Sequence, residues 1–157
     1  MTALHHAANN GDEELTMLLL IHNEGPHSTS PMSLDTVLLW AVNGYYHWAL
    51  PQSPSNTQDP QPPFKMQAFG DVIQFLLNHG ADPMAWTNTE EHWAPSTTTS
   101  FLFAIENGLP STLELFLRWA QDRGGEDAVK KFLNMHHKIY SGMTPLHCAL
   151  TSPSVLA

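Results

Sequence analysis

Two strings at opposite ends of the chain, MTALHHAA (1–8) and MTPLHCAL (143–150), constrain its fold more than any other feature. Thr2, Leu4, His5 and Ala7 recur as Thr144, Leu146, His147 and Ala149 at identical spacing. Identities at these spaced positions in one register mark an internal repeat, and a repeat implies stacked copies of one supersecondary unit.

The same grammar recurs between the two ends. DTVLLWAVNG (35–44) carries Thr36, Leu38, Ala41 and Gly44, and TSFLFAIENG (99–108) carries Thr99, Phe101, Ala104 and Gly108. Each string has threonine first or second, which can cap a helix N-terminus, and Pro145 suits a first helical position because its missing amide would be unpaired there anyway. Small residues at Ala7, Ala41, Ala104 and Ala149 let neighbouring helices come close. Gly11, Gly44 and Gly108 are expected at left-handed turns between helices. Second helices follow from apolar spacing: Leu15, Leu19 and Leu20; Val72, Ile73, Leu76 and Leu77 before Gly80; and Leu113, Phe116 and Leu117.

TALHHAANNGD, FLLNHGADP, FAIENG and GMTPLHCAL together resemble the ankyrin repeat, a unit of about 33 residues with two antiparallel helices and a projecting turn. LLNHGADP and TPLHCAL are the specific pieces. The resemblance implies an all-α ankyrin-repeat solenoid of about three and a half helix-turn-helix repeats with a disordered Pro-rich insertion. The whole chain, 1–157, then forms one repeat domain. Its repeats run over about 1–33, over 34–85 with an insertion at 45–67, over 86–139 with an extra helix at 126–138, and over an incomplete 140–157. The threonine spacing agrees in part: Thr2 to Thr36 is 34 residues, whereas Thr36 to Thr99 is 63 and Thr99 to Thr144 is 45. Val37 and Ser100 stand where the family has proline, and Leu39 and Leu102 where it has histidine, so the middle repeats should stack irregularly.

PQSPSNTQDPQPP (51–63) has five prolines, each lacking an amide donor and fixing its own φ, and cannot continue a helix. It is expected as a surface loop, or as a proline-rich ligand, since PQSP fits PxxP. EDAVKKFLNMHHK (126–138) places Val129, Phe132, Leu133 and His136 at helical spacing, as an extra amphipathic helix on the stack or a partner-binding helix. LTMLLLI (15–21) is apolar around nearly its whole circumference, so Met17 and Leu18 should need a cover, because solenoid ends require polar outer faces. Repeat four shows a first helix and no second. The sequence therefore reads as a piece of a longer array, or as a small protein whose ends are buried on another chain.

Composition removes several function classes. Six basic residues against fifteen acidic ones give a formal charge of −9, and the only basic pair is Lys130-Lys131, so nucleic acid and anionic membrane are not expected partners. The longest apolar run is far short of the roughly 20 residues of a membrane helix. One cysteine, Cys148, allows no internal disulfide and points to a reducing compartment. With no signal sequence at the N-terminus, an intracellular place, cytoplasmic or nuclear, is expected.

Ten histidines raise a metal site, but no cysteine pair exists, and His22 and His27 straddle Gly25-Pro26. His5 and His147 fall at the family's structural histidine, and His79 in the end of a repeat. Adjacent on a helix, His147 and Cys148 point apart, and Glu90-Glu91 reads as a solvated loop pair. No catalytic residue, cofactor or metal ligand is assigned. The expected function is protein–protein interaction without intrinsic catalysis. The alternative is an appendage of a larger enzyme or ubiquitin-ligase adaptor whose activity lies outside this chain. Carried over from the family's concave face and turns, the partner-binding residues are His6, Asn9 and Asn10; Trp40 and Asn43; and Phe103, Glu106 and Asn107; Trp86 and Trp93 join them from the loop WTNTEEHWAPSTT (86–98), which is longer than the family norm. Trp40 and Phe103 are expected either as exposed anchors for a partner or as residues packed under the irregular loops, and an acidic surface suits a basic, partly apolar partner.

Gly108→Val should cost about 1–3 kcal/mol, because a β-branched residue tolerates positive φ poorly. Thermal unfolding checks this, and an unchanged Tm would remove the inter-helix turn from that position.

Overall fold

A computed structural model of the chain describes residues 2–23, 34–49, 63–87, 98–135 and 142–151. They form two compact units, 1–81 and 82–157. The first contains α1 (Ala3–Asn9), α2 (Glu13–Asn23), α3 (Leu34–Ala49) and α4 (Pro63–Asn78); the second contains α5 (Ser100–Glu106), α6 (Pro110–Leu133) and α7 (Pro145–Thr151). Among the described residues the secondary structure is helical apart from one antiparallel bridge, Thr87 to Thr98. The all-α helix-pair architecture expected from the repeats is the one observed.

In the first unit α1 packs on α2 and α3, α3 on α4, and α2 on α4. The α1–α2 connection is tight because Gly11 takes φ 67°, with the Phe69 ring directly against it. Asp12 then starts α2, its carboxylate accepting the Leu15 amide at 3.0 Å, with Glu13 and Glu14 in the first turn, where the helix dipole favours acids. Gly80, at φ 99°, ends α4, and Ala81 N–H returns to Leu76 O at 3.0 Å. Leu38, Leu39, Val42, Val72, Leu76 and Leu77 form the core and are fully buried.

Gly44 is not a turn. It lies inside α3, which runs on to Ala49. Gly11 and Gly108 each follow their threonine by nine residues, but Gly44 follows Thr36 by only eight, so it falls before the turn position. Its role is close approach: a Cβ there would lie 1.9 Å from the Asn9 carbonyl oxygen of α1. Thr36 also departs from its expected capping role, because α3 starts two residues earlier at Leu34. Its hydroxyl is instead 3.0 Å from His5 Nε2.

Of the insertion expected over 45–67, residues 45–49 continue α3 and 63–67 open α4, with Pro63 at the first helical position. Tyr45 is buried and its ring lies 5.9 Å from Phe69, while Trp48 stacks on Tyr45 at 6.4 Å. Residues 50–62, where disorder and the PxxP ligand are expected, lie outside the described residues.

In the second unit α5 packs on α6 and α7, and α6 also on α7. Thr99 caps α5, accepting the Leu102 amide at 3.1 Å, and Gly108 at φ 62° makes the turn to Pro110 at the start of α6. α6 is broken at Gly125 (φ 60°, ψ −149°). Thirteen residues of straight helix would separate Trp119 and Phe132 by roughly 20 Å, yet their rings are 6.3 Å apart, so the chain turns back at Gly125. The segment expected as a separate helix over 126–138 is helical over 126–133 and stops at Asn134. It packs inward through Phe132, whose ring is 4.8 Å from Phe101. Residues 136–138 lie outside the described residues.

Gly44→Ala should destabilise the first unit by about 1–3 kcal/mol through overpacking, although alanine is the better helix former by ~1 kcal/mol. Urea unfolding gives the sign directly. A neutral or stabilising result would mean that α1 and α3 do not meet at Asn9.

Candidate interaction surface

The repeated threonine and histidine build the same local geometry at both ends of the chain. In α1, Thr2 N–H donates to His5 Nδ1 at 3.3 Å, with Thr2 Oγ1 2.8 Å from the same nitrogen. Around α7, Thr144 N–H and Oγ1 meet His147 Nδ1 at 3.3 and 2.8 Å. A backbone amide can only donate, so Nδ1 is the unprotonated nitrogen of each ring. His5 Nε2 therefore carries the proton and donates to Thr36 Oγ1 of α3. Burial, chiefly, and positive charge nearby, including His6, hold the His5 pKa below its ordinary 6.5. Where leucine replaces histidine, at Leu102, the threonine hydroxyl accepts the helix amide itself.

The residues carried over as partner-binding divide by burial. His6 and Asn10 are exposed, and Asn9 is half-buried. Trp40 is buried, with its ring edge-on to His5 at 6.2 Å, and Asn43 is buried with its amide donating to Asn9 Oδ1 at 3.2 Å. Phe103 is buried, while Glu106 and Asn107 are half-exposed. Asn107 is held in place, its side-chain amide donating to Phe103 O at 2.8 Å. The structure thus brings Asn9 and Asn43 into contact and gathers Phe103, Glu106 and Asn107 on α5. The positions open to solvent are polar ones at the C-terminal ends of α1 and α5. The two carried-over aromatics, Trp40 and Phe103, are buried.

Thr87 and Thr98, on either side of residues 88–97, pair with each other. Thr87 N–H donates to Thr98 O at 2.8 Å, Thr98 N–H returns to Thr87 O at 3.2 Å, and Thr87 Oγ1 donates to Thr98 O at 3.0 Å. Trp86, half-exposed, precedes Thr87. Trp93, Glu90 and Glu91 lie outside the described residues.

The remaining chemistry is sparse. Cys148 is 4% exposed, and burial, with Glu106 nearby, pushes its thiol above the ordinary range, so it packs as a small apolar group rather than reacting. Among the described residues no three His, Cys, Asp or Glu side chains converge as a metal site, and no helix is long and apolar enough to cross a membrane. The apolar circumference of α2 is only partly used. Thr16 and Leu20 are buried and Met17 is half-buried, but Leu15, Leu18 and Ile21 are 41%, 54% and 64% exposed. Leu146 and Leu150 of α7 are 68% and 60% exposed, although no local pattern marks them as surface residues.

Helix pairs joined at Gly11 and Gly108 by positive-φ turns and packed first helix to first helix, with the same threonine–histidine geometry opening α1 and α7, define a helical-repeat protein. Residues 1–30 match the family model of the ankyrin repeat. That match supports an ankyrin-repeat assignment, and the helical architecture agrees with it. No curated protein and no solved structure matches the sequence.

Because the folded pKa of His5 is depressed, the folded state prefers the neutral ring. The stability this contributes is complete above about pH 6.5 and is lost as pH falls through the folded pKa. His5→Gln keeps a capping side chain without the titration. Denaturant midpoints at pH 7.5 and 5.0 should therefore fall less in H5Q than in wild type, and equal falls would exclude His5 as the group responsible.

Proposed function

We propose that the chain is a protein-interaction module with no catalysis of its own. It binds a partner protein through polar side chains at the C-terminal ends of its first helices and through the projecting turns. The observation that supports this most directly is the ankyrin-repeat match over 1–30, since ankyrin repeats serve as interaction modules. The exposed His6 and Asn10 lie within that stretch, and the half-exposed Glu106 and Asn107 end the corresponding helix of the second unit. Trp86, and Trp93 further along its loop, would add aromatic contact area. Asn9, Asn43 and Trp40 in the first unit, and Phe103 in the second, are buried or half-buried and hold the helices that present the exposed positions of each unit. The net charge of −9 favours a basic, partly apolar partner.

The reading is tested by placing a photo-crosslinking residue at 10 or at 107, with position 127 on α6 as control, in cells that express the protein naturally. One discrete crosslinked protein from 10 and 107, and none from 127, is the expected result. Equal labelling from all three positions, or none from 10 and 107, would refute this surface.

A further inference from the structure

Asn-Gly occurs three times in the chain, at 10–11, 43–44 and 107–108. In such a pair the glycine amide nitrogen can attack the asparagine side chain, because no Cβ hinders the approach and glycine reaches the conformations that ring closure needs. The three pairs are chemically alike, and the fold separates them.

Asn43 lies within α3, is 4% exposed, and donates its side-chain amide to Asn9 Oδ1 at 3.2 Å. The Asn9 carbonyl leaves no room beside Gly44, so this pair is held on both sides. Asn10 and Asn107 instead cap the C-terminal ends of α1 and α5, with nearly the same backbone conformation (φ −89°, ψ −6° and φ −99°, ψ 5°). In both turns the glycine N–H is held by one carbonyl at 3.1 Å, Gly11 by Ala8 and Gly108 by Ile105. The next amide is also bonded in each, Asp12 to Ala7 O at 3.0 Å and Leu109 to Ala104 O at 2.9 Å.

The side chains differ. The Asn107 amide group, which would have to leave, donates to Phe103 O at 2.8 Å. Asn10 is exposed, and its side chain makes no hydrogen bond to any described residue. Gly11 is buried against Phe69 where Gly108 is exposed, so burial of the glycine and freedom of the side chain oppose each other. The side chain decides. Its Cγ must swing onto the nitrogen when either turn opens, and only Asn10 does so without breaking a bond of its own.

We propose that Asn10 is a site of spontaneous deamidation, at which the folded chain gains a negative charge and loses its α1–α2 turn. The Gly11 nitrogen, giving its proton to solvent, bonds to Asn10 Cγ, and the side-chain nitrogen leaves as ammonia. Water then opens the resulting succinimide. Cleavage of the new bond leaves aspartate at position 10, and cleavage of the original peptide bond leaves isoaspartate, whose main chain runs through the former side chain. Either carboxylate lies at the negative end of the α1 dipole and just before Asp12, Glu13 and Glu14. Isoaspartate also adds a methylene ahead of Gly11, where the Asp12 N–H to Ala7 O bond and the Phe69 ring fix the turn. Asn10 belongs to the proposed partner surface as well, but the reaction is followed on the chain alone and does not depend on that reading.

The full chain is held at pH 7.5 in heavy-oxygen water, and the label is located over time by peptide mass spectrometry. Asn10 should take up label first, and Asn107 roughly threefold to tenfold more slowly, as one side-chain hydrogen bond requires. Asn43 should be slower still. In denaturant all three should label at similar rates, because only folding distinguishes them. The converted protein, separated by anion exchange, should melt about 2–8 °C lower than fresh protein. An Asn10→Gln variant, altered at an exposed position, should keep its Tm on the same incubation. In the folded chain, label at Asn107 or Asn43 as early as at Asn10 would overturn the proposal. So would none at Asn10 after roughly a hundred denatured-state half-times, or an unchanged Tm in the converted protein.

Discussion

The first unit depends on how closely α3 approaches α1. The Asn9 carbonyl sits where a side chain on residue 44 would be, so only glycine permits the two backbones to meet. At that distance short polar side chains can bridge the helices: Asn43 reaches Asn9 at 3.2 Å, and His5 reaches Thr36 at 3.0 Å. Both bridges are buried or partly buried, where an unmade hydrogen bond costs more than a made one gains. They therefore set the register of α3 on α1 as well as adding stability. Phe69 of α4 closes the arrangement by packing on the Gly11 turn and on Tyr45.

The second unit solves the same packing problem with different parts. Leu102 replaces the capping histidine, and Thr99 takes the helix amide directly. Its short α5 gains cover from the reversal at Gly125, which brings Phe132 back to the Phe101 ring. The added segment after Gly125 thus belongs to the core as much as to the surface. α7 then packs on α5 and α6, with Pro145 and Cys148 on its buried side, which accounts for the burial of the single cysteine. Function in such a molecule resides in which faces remain open. The interaction module proposed for the chain follows from that pattern of covered and uncovered positions.

Local signals in the sequence were legible wherever the physics was local. Thr2, His5, Thr144 and His147 form matching caps at matching distances, and Gly11 and Gly108 take the positive φ that ends a helix. Trp40, Phe103 and Asn43 were harder to read, because their offsets match those of solvent-facing positions in regular repeats. Here they are buried by packing that no local pattern encodes. Thr36 shows the same limit: its spacing suggests a cap, but α3 starts earlier and its hydroxyl serves His5.

The sequence by itself determined the unit of construction: helix pairs, their threonine–histidine caps, their glycine turns, and the all-helical class. These depend on interactions within a few residues, and such interactions leave a fixed spacing. Only the tertiary structure decided that Gly44 is a contact rather than a turn, that Phe132 folds back, and which leucines stay in solvent. Those outcomes depend on atoms far apart in the chain meeting at van der Waals distance, and a one-residue shift in spacing, as between Gly44 and Gly11, is enough to change them.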